Sequence, residues 1–341
     1  MRPSFLSFSL LSDRIAAMAV KTSFSSSEFS QILARYDLGA LLDFAPIAHG
    51  SVQTNFLLRT TQGRFVFRYY ENRSPGSVSF ESHLIQYLTD QHYPCPAVLL
   101  DRYGEALGVY REKPYLLFTF VEGEHLEQPD ERQRRQLIQR VAQLQRITRD
   151  YQPVNKDERL NYTVENCRAL ARQQARRIGT ANARQKLAWF ERVLSRLSLP
   201  PSLPLGICHC DFHFSNILFK DGEFAALLDF DDANYTFLTY DLATLINPFL
   251  PTFDWHSWSD FQPGDNILDF SAARWTVREY ERYRPLHPSE KQYLFDVFQL
   301  SIMFDCIWYF ERGPASAFFE KRKIDALDAF GRDAFYLHLF G

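Results

Sequence analysis

The stretch 207–242 constrains this chain more than any other part of it. It reads His209-x-Asp211-x-x-x-x-Asn216, then Asp229-Phe230-Asp231 thirteen residues after Asn216, then Tyr240-Asp241-Leu242. Residues 216–219 and 224–230 predict two short strands joined at the turn Asp221-Gly222. A hairpin brings its two ends together, so Asn216 and Asp229 can share one site. Two oxygen ligands of this kind suit Mg²⁺, a hard cation that keeps waters and takes phosphate oxygens as further ligands. Asp211, five residues before Asn216, can then orient a hydroxyl and accept its proton during phosphoryl transfer. Any one of these aspartates alone is an ordinary turn or cap residue. Three at these separations, in a loop–strand–turn–strand context, point to one site.

The surrounding chain falls into two patterns. A serine-capped helix is expected over 28–36, with Phe29, Ile32 and Leu33 on one face. Strands follow at 55–60 and 64–70 around the turn Thr61-Gln62-Gly63, and a helix covers 79–87 until Pro94 and Pro96. Two more strands are expected at 106–110 and 115–120. From Asp130 the period changes. Leu137, Val141 and Leu144 share a helical face to about residue 149, and helix continues through Leu170 and Trp189. After the hairpin, 239–330 reads as mostly helix, with a loop around 251–263. A β-rich part followed by an α-rich part, joined near Val121-Glu122-Gly123, is an α+β pattern.

Composition narrows the function class. The 341 residues can bury a real core, and 46% hydrophobic with 23% charged residues is ordinary for a globular protein. A net charge of -3 gives no field that would draw the chain to nucleic acid or an anionic membrane. The arginine-rich stretches 132–149 and 168–177 alternate with apolar residues at helical spacing and read as solvated faces. Five cysteines without repeated CxxC pairs fit a reducing cytoplasm. Cys208 and Cys210 flank His209, yet small buried thiols explain them better than a metal site. No run approaches the ~18 apolar residues of a membrane span. Residues 1–17 only loosely imitate a signal peptide and read as a disordered extension or a mis-set start, with Met18 as a second start.

The words around the aspartates resemble the aminoglycoside phosphotransferase and choline kinase family: "HCDFHFSNILF", "LLDFDDA" and "YDLA". The resemblance covers most of the chain from about residue 18. It implies a two-lobed protein-kinase-like fold, with a nucleotide-binding lobe at 18–121 and a catalytic and acceptor lobe at 122–341. It also implies ATP and Mg²⁺ as cofactors, Asp211 as catalytic base, Asn216 and Asp229 as metal ligands, and His209 and Asp241 as loop braces. His49-Gly50-Ser51 takes the place of the phosphate-covering loop, where backbone amides of Gly50 and Ser51 can meet phosphate oxygens. Arg68 stands where protein kinases carry a phosphate-binding lysine, and Glu81 where that lysine's ion-pair partner is expected. Arginine keeps the charge but replaces a compact ammonium with a planar fork.

The N-terminal part, "NFLLRTTQGR" and the later "YRPL" are similar to bacterial homoserine kinases of this fold. Two features depart from them: Arg68, and the run Asp231-Asp232-Ala233-Asn234 after the metal aspartate. For Asp231 and Asp232, three readings stand level: facing a cationic amine, binding a second magnesium, or lying in solvent. The expectation is an ATP-dependent kinase of a small-molecule hydroxyl, such as that of homoserine. Other amino alcohols, aminoglycosides, choline, sugars or a protein serine are the alternatives, as is a nucleotide-binding pseudokinase without turnover. The intact Asp211, Asn216 and Asp229 argue against the last. The missing Ala-Pro-Glu segment argues against a protein substrate.

Overall fold

The computed structural model describes residues 22–341 apart from 48–51, 127, 213, 248–266, 309 and 317. The extension 1–17, the loop His49-Gly50-Ser51 and the loop 251–263 therefore lie outside the described residues. The chain divides into two compact units, and the division is not a single cut. Residues 152–159 and 225–231 group with 1–124, and the remainder forms the second unit.

The first unit begins with helix α1, Ser26–Leu33, where Ser25 and Glu28 cap each other's backbone in a capping box. An antiparallel sheet follows, built from β1 Leu41–Pro46, β2 Thr54–Thr60, β3 Gly63–Tyr69, β4 Gly108–Tyr110 and β5 Lys113–Thr119. Its order is β1-β2-β3-β5-β4, with helix α2, Pro75–Asp90, between β3 and β4 in the chain. The alternation of strand side chains explains the core. Phe56, Leu58, Phe67, Tyr69, Tyr115 and Leu117 close on Phe24, Phe29, Ile32 and Leu33. Phe29 meets Phe56 and Phe67 edge-on, with ring centroids 5.2 Å away in both cases. Such pairs contribute roughly 0.5–1.5 kcal/mol beyond area burial.

The second unit is mainly helical: α3 Glu131–Ile147, α4 Val164–Ile178, α5 Ala181–Leu194, α6 Thr239–Ile246, α7 Phe270–Glu281, α8 Pro288–Trp308, α9 Phe319–Phe330 and α10 Arg332–Phe340. Asp130 caps α3 with Gln133 as its reciprocal partner, as the sequence pattern suggests. In the chain between α5 and α6 come β6 Leu205–Cys208 and β9 Asn234–Phe237, which pair antiparallel, and the short strands β7 Ile217–Lys220 and β8 Glu223–Leu227, the last of which runs into the stretch 225–231 that groups with the first unit. Lys186 on α5 is fully buried, and its ammonium donates to the carbonyls of Phe310, at 2.7 Å, and Arg312. Burial pushes this lysine down to about 8. Among the described residues, no helix is long and apolar enough to cross a membrane.

Candidate active site

In the first unit, three of the expected residues come together. Arg68 sits on β3 directly across from Asn55 on β2, and this register lets its Nε donate to Asn55 Oδ1 at 3.0 Å. The same guanidinium reaches forward through Nη1 to Asp229 Oδ1 at 2.7 Å. Its distance to Glu81 Oε1 is 3.7 Å, an ion pair without a hydrogen bond. Glu81, on α2, is 1% exposed, and neither of its carboxylate oxygens has a hydrogen-bond partner among the described residues. Burial pushes its carboxyl up to about 7, and Arg68 only partly counteracts this. Arg68 therefore leans towards the expected metal ligand rather than towards its expected partner.

The segment after Asp229 is fixed by residues that have no local signature. Asp231 is buried, with Arg73 donating Nε and Nη2 to it at 2.8 and 3.0 Å and Gln53 Nε2 donating at 2.9 Å. Burial raises its pKa, but the Arg73 bonds outweigh burial and hold the carboxyl below its ordinary value. None of the three level readings describes Asp231, because its carboxylate is already neutralised within the unit. Arg159 binds the carbonyls of Ser77, Phe230 and Asp231, tying the start of α2 to the same segment. Asp229 itself has φ +62, a left-handed conformation that costs a residue with a side chain of order 1–3 kcal/mol and clusters at functional sites.

In the second unit, Asp211 and Asn216 meet. Asn216 closes a single 3-10 turn, Phe214–Asn216, just before β7 rather than opening the strand. Its Nδ2 donates to the Asp211 carbonyl at 3.0 Å and to Asp211 Oδ2 at 2.7 Å. Both amide hydrogens are thus committed to Asp211, and the remaining amide atom is an oxygen acceptor. Asp229 belongs to the other unit, so each half of the expected metal pair is described within its own.

The loop carrying Asp211 is held through its backbone. Asp241 Oδ2 accepts from the His209 amide at 3.1 Å and Oδ1 from the Cys210 amide at 2.8 Å. Gln145 of α3 adds a bond at 3.4 Å and is itself engaged by the Tyr280 hydroxyl. Burial raises Asp241 to about 7 in spite of these donors. The His209 ring packs on Phe212, 4.7 Å between centroids. Cys210 is left-handed at φ +67, and the Cys208 thiol donates to the Phe237 carbonyl at 3.3 Å. All five cysteines are free thiols.

A second acidic group lies close enough to Asp211 to feel its charge. Asp305 on α8 is pushed up to about 8 by burial and then by Glu320, with Lys323 opposing and Asp211 adding to the rise. Asn247 Nδ2 donates to Asp305 at 3.2 Å, while Asn247 Oδ1 is buried with no partner among the described residues. Glu320 Oε2 is paired with the Lys323 ammonium at 3.0 Å. The sequence reading missed these three residues, which follow Asp211 by 36, 94 and 109 positions with no shared motif.

A profile of the phosphotransferase enzyme family matches residues 43–286. The homoserine kinase of Caulobacter sp. (strain K31) is 31% identical over 312 residues, covering 90% of this chain and 89% of its own. That of Rhodospirillum rubrum is 31% identical over 276 residues, covering 80% and 81%. Among solved structures, an amicoumacin kinase in complex with AMP-PNP and Ca²⁺ aligns with TM-score 0.58 and 15% identity over 89% of this chain and 95% of its own. A microcompartment-associated aminopropanol kinase aligns with TM-score 0.57 and 14% identity over 92% and 95%. At such identities the likeness is one of fold.

Proposed function

The chain belongs to the phosphotransferase enzyme family and is a kinase that phosphorylates an alcohol group, and from that premise we propose that its acceptor is homoserine or a close amino alcohol. ATP is the donor, as its kinase relatives imply. Asp211 orients the acceptor hydroxyl and takes its proton as the phosphoryl group leaves. The Asn216 amide oxygen and the Asp229 carboxylate are the oxygen donors a hard cation prefers, and these residues would hold Mg²⁺. Such an ion neutralises charge on the phosphates when it is bound. Arg68 gives the phosphates a guanidinium, with Glu81 as the counter-ion ready to receive it. Gly50 and Ser51 would cover the phosphates with backbone amides. On this reading 18–121 carries the nucleotide and 122–341 the acceptor, in a reducing cytoplasm.

The observation that carries the choice of acceptor is the buried Asp305, which lies close enough to Asp211 to feel its charge. Asp305 is buried there beside the Asn247 amide oxygen, an acceptor atom that lacks a donor among the described residues. A buried acceptor without a donor is costly, and an ammonium brings three donors and a positive charge. The homoserine kinase relatives, each named for a substrate with an amino group, support the same choice. Labelled ATP offered with homoserine, choline, an aminoglycoside and a neutral polyol tests it. Homoserine should give the highest kcat/KM, and Asp305→Asn should raise its KM about tenfold with little change in the KM for ATP. Phosphorylation of neutral polyols alone, or a KM effect confined to ATP, would sink the amino-alcohol reading.

A further inference from the structure

One concave face of the second unit has no part in the chemistry above. It is a cavity of about 400 Å³ walled largely by one side of α7, with Arg274, Trp275, Arg278, Glu279 and the adjoining Arg282, together with Arg135 from α3. Positions 274, 275, 278, 279 and 282 follow the helical repeat, so one face presents them all. Four arginines meet a single glutamate there.

The four differ in how fully they are used. Arg135 donates to Glu131 at 2.6 Å and to Glu279, and its guanidinium lies over the Trp275 ring at 5.1 Å. Arg282 pairs with Glu279 at 2.9 Å. Glu279 is thereby saturated, since the Tyr283 hydroxyl also donates to it at 3.0 Å. Among the described residues Arg274 donates to the Gly341 carbonyl at 3.0 Å, and its buried Nε has no hydrogen-bond partner. Arg278 is exposed and has no hydrogen-bond or ion-pair partner among the described residues. A concave surface with two under-used guanidinium forks, backed by two fixed ones, is built for an oxyanion.

We infer that this cavity binds a small phosphomonoester dianion. A carboxylate offers two oxygens, whereas the three terminal oxygens of a phosphate can accept from Arg274, Arg278 and Arg282 together. The volume suits a small metabolite and not a nucleic-acid strand. None of the residues lining it belongs to the loop that carries Asp211. Arg135 precedes Gln145, the residue that engages Asp241, by ten positions on α3, about 15 Å along the helix.

The test uses the full chain with AMP-PNP and Mg²⁺ present in excess, so that the nucleotide site is occupied. Inorganic phosphate and O-phosphoserine are titrated at constant ionic strength, with chloride as the control. Binding is followed by ³¹P line broadening and by tryptophan fluorescence. Saturable binding is expected, with a fluorescence change that Trp275→Phe removes. Arg278→Glu, a change on an exposed helix face, should weaken binding at least about tenfold and leave kcat/KM for ATP unchanged. Equal affinity in Arg278→Glu, absence of saturation, or an equal response to chloride would overturn the inference.

Discussion

Two carboxylates, Glu81 in the first unit and Asp241 in the second, are both essentially buried, and burial pushes both up to about 7. Their surroundings are opposite. Asp241 accepts two backbone amides and a glutamine, so it fixes the loop that carries Asp211 into one shape. Glu81 accepts no hydrogen bond from the described residues, and the cation expected to pair with it is 3.7 Å away, bonded instead to Asp229. Equal burial therefore does different work. A carboxylate supplied with donors is a brace, while one left without them is a vacancy that another arrangement of Arg68 can fill. The loop that carries Asp211 is pinned by its brace, while Arg68 has a second carboxylate 3.7 Å away to which it is not hydrogen-bonded.

The contrast can be broken most directly at the residue the brace serves. Asp211→Asn should lower turnover by about 10²–10⁴-fold with nucleotide affinity little changed, read from steady-state rates beside equilibrium nucleotide binding. Near-normal turnover would remove the reason for bracing the loop. Asp241→Asn comes next. One face of the amide would turn N–H groups towards the backbone N–H of His209 or Cys210, leaving a buried donor unmatched. A loss of about 1–3 kcal/mol in unfolding free energy is expected from denaturant titration, together with reduced activity. On the nucleotide side, Arg68→Lys keeps the charge but drops the Nε bond to Asn55. ATP binding should weaken about tenfold, measured calorimetrically with magnesium present.

The smallest effect distinguishes the two carboxylates by pH. Glu81 has a folded pKa raised from 4.5 to about 7, so the folded protein holds a proton that the unfolded chain has lost. Its favourable contribution is complete below the unfolded value and disappears as pH rises through about 7. Glu81→Gln removes that loss. Melting temperature between pH 5 and pH 8 should therefore fall less steeply in the variant than in the parent. The slope should persist in part, because Asp241 and Asp305, raised to about 7 and about 8, act in the same direction. An unchanged slope would mean that Glu81 is ionised in the folded protein throughout, and the vacancy would not exist.

What could be read from sequence was local, and what could not was distant. Helix caps at Ser25 and Asp130 and the spacing from Asp211 to Asn216 act over a few residues, so they appear as patterns. The pairing of Arg68 with Glu81 was expected by resemblance, yet the stronger contact to Asp229 was not, because 161 residues separate the two. Arg73 and Gln53 reach Asp231 across 158 and 178 residues, and no periodicity encodes such partners. That is why three readings of Asp231 stood level from sequence, while the structure makes it an internal ion pair. Strand β1 escaped notice since its burial pattern does not alternate cleanly and it ends in Pro46. Strands β6 and β9 have four residues each, too few to show a period.

Lys186 turns one detail of packing into a clock. Its amine is enclosed under the 310–312 turn and capped by carbonyls, yet burial has already brought it near the pH at which amines react. An acylating reagent added to the native protein near pH 8 would label surface lysines at once. This one can be labelled only when α5 parts from that turn. The mass shift on its peptide, followed over time, would report how often the helical unit opens, without any probe being engineered into it.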